Sequence, residues 1–248
     1  MPPYGLNCLN IAVEIPTGGE PLTWRTLVSQ VRLGATKYRV IRPADPLTHI
    51  LLYEGWQGAE CEVDQSASMQ VALAWAVAAH SPHSLVYLPA KRHLDPQWRQ
   101  ELHDVVQDHP LSGNPLDLLL GHHSMALPAA RWRSIRQRLG AGVPHTITLP
   151  PHAFDPVDIA EHQATDHLEF RDFIRWDIAA DTLILTGSTR AYRRDATQLR
   201  EVTVKGPGYQ PRSDRDHCCA EIHIGRVRHG NTDKRRSGAQ LHVIYRDS

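Results

Sequence analysis

Apolar positions along this chain follow two spacings, and the elements it predicts depend on which one holds. Leu6–Ile15 carries Ile11, Val13 and Ile15 on one side, a two-residue period that predicts a strand closed by the turn Pro16-Thr17-Gly18-Gly19. Thr23 through Leu33 places Leu27, Val28 and Val31 at helical spacing, with Gly34 at the C-cap position, so a helix is expected there. Tyr38–Arg42 reads as a strand ended by Pro43, and Ile50–Tyr53 as an extension of the same sheet. The opening sixty residues therefore predict strand–helix–strand. Ser66–His80 is apolar and alanine-rich, a buried helix stopped by Pro82, and Leu85–Leu88 is a short strand. Asp95-Pro96 starts a further helix running to about Asp108. Leu116–Leu120 is an apolar patch, and Pro128 opens a helix to about Leu139, ended by Gly140 and Gly142.

Val143–Pro151 is extended and bounded by prolines, which marks it as a boundary or crossover. On that basis the chain divides into an N-terminal α+β unit with a helical insertion, residues 1–142, and a C-terminal basic α+β unit, residues 143–248. In the second unit Phe170–Ile178 is expected to be helical and Thr182–Thr186 to be a strand leading into Gly187-Ser188. Leu199–Val204 and Cys219–Val227 alternate like strands. Gln240–Tyr245 is the final strand, with Leu241, Val243 and Tyr245 on one face and His242 and Ile244 on the other.

Composition adds a length of 248 residues and 41% apolar content, enough for a real core without staples. No apolar run approaches the roughly 20 residues that span a bilayer. Met1–Gly5 lacks a basic region followed by an apolar core, so no leader is expected. Cys8, Cys61, Cys218 and Cys219 include an adjacent pair unsuited to a disulfide framework, which points to reduced thiols and a cytoplasmic protein. The net charge of zero conceals a partition. Residues 185–248 hold 13 Lys or Arg against 7 Asp or Glu, and residues 1–184 hold 14 against 20. A segregated basic segment suits a polyanion, most commonly nucleic acid, although a solvated charged surface gives the same composition.

Three constellations could carry chemistry. The first is the glycine- and arginine-rich stretch Gly225–Gly238, with Arg226, Arg228, Lys234, Arg235 and Arg236 between two strands; Arg193 and Arg194 add to the basic unit. Glycine lets a backbone approach phosphate closely, and arginine binds it bidentately. The second is Arg131, Arg133, Arg136 and Arg138, on a helix whose Trp132, Ile135 and Leu139 share one face, in a stretch without a carboxylate from Leu118 to Phe154. The third is Arg25 and Arg39 with His49, arginines to stabilise charge on a phosphorus centre and a histidine to move a proton. His217-Cys218-Cys219…His223 contains zinc-type ligands, but adjacent cysteines on a strand point apart, so neither metal nor cofactor is expected. Motifs for P-loop phosphate binding, zinc deamination and the serine elbow of α/β-hydrolases are absent from the sequence.

The strand–helix–strand opening, the second α+β unit and the late loop Gly225–Gly238 together resemble the two-domain RAMP proteins of CRISPR systems. These pair two ferredoxin-like units, and the resemblance extends to their RNA-processing endonucleases, including the divergent type IV branch. It implies metal-independent cleavage of CRISPR repeat RNA, in which the 2′-hydroxyl attacks the neighbouring phosphate to leave a 2′,3′-cyclic phosphate. Gly225–Gly238 would then be the family's glycine-rich loop, His49 the candidate proton-transfer group, and Arg25 and Arg39 the charge stabilisers. It also implies partner subunits in a ribonucleoprotein complex. Two other classes stay open from the residues alone: a non-catalytic nucleic-acid-binding subunit, and a transferase or hydrolase acting on a nucleotide.

Overall fold

A computed structural model describes residues 21–55, 58–93, 114–158, 160, 163, 171–211, 216–225 and 239–247. The expected strand at Leu6–Ile15, the helix from Asp95 and the basic loop beyond Gly225 lie outside them. Within the described residues the fold is mixed, roughly α+β, with two sheets enclosing a helical layer.

The larger sheet has seven strands: β1 (Leu22–Leu33), β2 (Thr36–Pro43), β5 (Ser84–Leu88), β6 (Asp117–His122), β7 (Val143–Leu149), β8 (Arg175–Ile178) and β9 (Thr182–Gly187), in the order β7-β1-β2-β5-β6-β9-β8. The β2–β5 and β6–β9 pairs are parallel and the others antiparallel. The smaller sheet orders β10 (Cys219–His223), β11 (Gln240–Tyr245), β4 (Gly58–Val63) and β3 (Ile50–Gly55), with β11 parallel to β4. Both sheets draw strands from either side of the Gly142/Val143 junction: β7 pairs with β1, β9 with β6 and β11 with β4. The boundary expected there is an edge strand of a continuous sheet. Pro144 fits such an edge, because it offers no ladder donor.

Between the sheets lie helices α1 (Gln65–His80) and α3 (Thr189–Lys205). Asp64 caps α1, its Oδ1 accepting from the Ala67 amide at 2.7 Å. From Ala67 to Ala79 nearly every residue of α1 is buried, as a helix covered on both faces requires. Ser188 caps α3 in the same way, its Oγ accepting from the Ala191 amide at 3.0 Å. Trp75 of α1 meets the Tyr192 ring edge-on at 5.2 Å and donates to the Tyr192 carbonyl at 2.8 Å. The Tyr192 hydroxyl bonds the backbone of Gly121 and Leu185, fastening α3 to β6 and β9. On the far side of the larger sheet, the short helix α2 (Trp132–Arg136) covers a second core with Trp132, Ile135 and Leu139.

Four expectations fail here, each for a local reason. Thr23–Leu33 is strand β1, not a helix. Its even residues Trp24 and Val28 pack on the main core, whereas Val31 and Leu33 face the second core. This change of face midway along a strand imitates helical spacing in the sequence. Gly34 makes the hairpin turn to β2 with φ +61° instead of capping a helix. Ile50–Tyr53 belongs to the smaller sheet, paired with β4. Residues 175–178 form strand β8 rather than a helix: Ile174, Trp176 and Ile178 alternate toward the core. Leu199–Val204 ends helix α3, where Tyr192, Ala196, Leu199 and Thr203 form a buried stripe at helical spacing that overrides the β-branched run.

Candidate functional site

Arg25 and Arg39 do not converge. Arg25 lies on β1 beside Asp45 at 3.5 Å, with both side chains largely exposed. Arg39 pairs in register with Gln30, on the opposite face of the sheet from Arg25, and the two are about 16 Å apart along the strand direction. His49 precedes β3, and its Nδ1 lies 2.7 Å from the Asp64 Oδ2, at the start of α1. Arg42 donates to the carbonyls of Gly140 and Ala141, which ties the chain after α2 onto β2.

The arginines of α2 and its two flanks split into two kinds. Arg136 turns inward, donating to the Asp117 Oδ2 at 3.1 Å and to the Thr182 Oγ1 at 3.2 Å. Asp117 is buried and also accepts from the Tyr87 hydroxyl at 2.7 Å and the Lys91 amide at 2.9 Å. No carboxylate is near Arg136 along the helix; the partner is a strand residue just upstream of the carboxylate-free stretch. Arg131, Arg133 and Arg138 stay on the exposed side. Arg194 is buried, donating to the Asp172 carbonyl at 2.9 Å, which ties α3 to the segment before β8. Arg193, its neighbour, is half-buried. Arg226, Arg228, Lys234, Arg235 and Arg236 lie outside the described residues.

A histidine cluster that no sequence motif announces forms where β6 and β9 run parallel and end together, the kind of edge at which α/β sheets commonly bind ligands. His122 closes β6 and His123 follows it, their rings 4.3 Å apart. His80 and His83 flank the end of α1, and His152 approaches His80 at 6.2 Å between rings. The Ser124 Oγ donates to the Pro82 carbonyl at 3.3 Å, joining the two groups of histidines. Burial, with His123 and His83 close by, holds His122 below the ordinary imidazole range, against the opposing pull of Asp172. Burial, then Arg193 and His152, lowers His80 in the same direction. Both are thus mainly neutral at pH 7. The His122 Nδ1 lies 2.7 Å from the Ser124 Oγ and 3.2 Å from the Ser124 amide nitrogen, so the imidazole is held through that nitrogen. Asp172 is engaged by the Ser188 hydroxyl at 2.8 Å. The signal in the sequence is His80-x-x-His83 and His122-His123 placed at element ends, which only the packing of α1 on β6 brings together.

On the outer face of the smaller sheet, the His217 and His242 rings face each other with Nε2 atoms 3.1 Å apart, beside Cys219. Cys61, Cys218 and Cys219 are free thiols, and burial pushes the Cys61 thiol up to about 12. No helix among the described residues is long and apolar enough to cross a membrane. No family model, curated protein or solved structure matches the chain.

Proposed function

We propose that the protein binds RNA through its phosphates and cleaves it without a metal at the histidine-lined edge of β6 and β9. The observation that carries this reading is two joined groups of histidines, His80 with His152 beside Arg193 and His122 with His123 and His83, linked by the Ser124 contact to Pro82, with the nearby Asp172 already engaged by Ser188. Such an edge attracts a phosphodiester and supplies the two proton-transfer groups that transesterification needs. As general base His123 accepts the 2′-hydroxyl proton while that oxygen attacks phosphorus, and as general acid His83 supplies a proton to the departing 5′-oxygen. His122 and Arg193 hold the non-bridging oxygens as charge develops. The products are a 2′,3′-cyclic phosphate and a 5′-hydroxyl.

Arg131, Arg133 and Arg138 extend the proposed contact surface. They lie toward the Asp117 end of β6, and a six-residue strand spans about 20 Å, a distance that a bound strand of several nucleotides covers. The basic stretch of Arg226, Arg228, Lys234, Arg235 and Arg236 belongs to the same proposal, as does repeat RNA of a CRISPR system as the substrate class. Paired ferredoxin-like RAMP units remain part of the proposal as well, resting on Gly225–Gly238 now that the first helix of the expected opening is a strand. The test is cleavage of structured RNA in EDTA by the wild type, His123→Ala and His122→Gln, beside a substrate with one 2′-deoxy nucleotide at the cut. We expect a loss of about 10²–10⁴-fold for His123→Ala and no cleavage of the deoxy substrate. Binding without cleavage would identify a non-catalytic subunit, and absence of RNA binding would favour an enzyme acting on free nucleotides.

A further inference from the structure

We propose that His217, Cys219 and His242 form a zinc-binding site on the outer face of the smaller sheet. The strand geometry sets this up. His217 and Cys219 are two residues apart, so they share a face where β10 begins. Cys219 pairs with Ile244, which makes His242 its diagonal neighbour on the same face of β11. One ligand atom from each of the three lies within 4.8 Å of the other two. The two Nε2 atoms at 3.1 Å match zinc closely, since nitrogens bound at about 2.05 Å in a tetrahedron lie about 3.3 Å apart. Cys219 and His242 are half-buried beside the more open His217, so the set is neither sealed in the core nor dispersed in solvent.

The surroundings favour a dication. Glu221 on β10 and Glu60 on β4 flank His242 in its row across the sheet and act on it electrostatically. Carboxylates beside a ligating imidazole orient it and raise its basicity. Cys218 is excluded from the set, because it falls on the other side of the strand, toward Lys205 and Glu201 of α3. Adjacent cysteines do point apart, as the sequence indicates, but the second and third ligands come from His217 and His242. Three protein ligands with a solvent-facing fourth position suit zinc with a bound water. Binding replaces the S–H bond of Cys219 with an S–Zn bond and releases one proton to buffer.

Cobalt(II) added to the metal-stripped full chain, followed by zinc, tests the assignment. Expected are one equivalent of cobalt, the visible bands of a tetrahedral ion, a thiolate-to-cobalt charge-transfer band in the near ultraviolet, displacement by zinc, and about one proton released per zinc. Cys219→Ser should remove the charge-transfer band and weaken zinc by at least about a hundredfold. His242→Ala should weaken zinc similarly while keeping the thiolate band, and Cys218→Ser should change neither. Absence of the thiolate band in the wild type overturns the site whatever the variants do. So does a band that survives Cys219→Ser or disappears in Cys218→Ser.

Discussion

At the residue scale, Asp195 on α3 stands out among the carboxylates. Burial pushes its carboxyl up to about 7, with Arg194 only partly opposing the shift. The folded protein therefore prefers the protonated acid, while the unfolded chain ionises near 3.9. The contribution is fully present below about pH 4 and is lost as pH rises through 7. Asp195→Asn should leave stability unchanged at about pH 3.5 and raise it at pH 8 by about 1–2 kcal/mol, less than the full shift because part of the side chain meets solvent. Melting curves at the two pH values check this, and an equal effect at both would remove Asp195 as the cause.

At the scale of elements, α2 separates packing from charge. Trp132 is buried, donates to the Thr182 Oγ1 at 3.0 Å and meets the Tyr87 ring edge-on at 5.0 Å. Trp132→Ala should cost about 3–5 kcal/mol in denaturant unfolding. Arg133→Ala with Arg138→Ala should leave stability within about 0.5 kcal/mol and weaken RNA binding, because neither side chain is built into the core. The face made by Trp132, Ile135 and Leu139 was legible from spacing alone, as were α1, β5, β9 and β11. The inward turn of Arg136 was not, because Asp117 is distant in sequence and meets it only through sheet pairing. The nature of β1 was hidden too, since its two halves face different cores. The histidine edge and the zinc set share that obscurity: each gathers side chains from strands or helix ends that only the fold makes neighbours.

On the scale of the molecule, the partition of charge makes salt the informative variable. A surface built from Arg131, Arg133 and Arg138 together with Lys234, Arg235 and Arg236 should give an affinity for RNA that falls steeply as salt rises. Replacing Lys234, Arg235 and Arg236 by alanine should flatten the logarithmic salt slope by about 2 for a single-stranded ligand, at roughly 0.7 for each phosphate no longer neutralised. Binding titrations between low and moderate salt measure it. An unchanged slope excludes that segment from the RNA-binding surface and leaves α2 and the histidine edge as the regions to pursue.

The placement of β11 has a consequence for biosynthesis. It lies between β10 and β4, and its parallel partner β4 is made some 180 residues earlier. Until β11 emerges, β4 has β3 alone as a strand neighbour among the described residues, and the side of α3 that β10 and β11 cover stays open to water. The apolar helix α1 is likewise without α3, which packs along it, until residues 189–205 have emerged. Apolar surface that waits for a distant partner makes the order in which segments emerge a hazard to reaching the folded state.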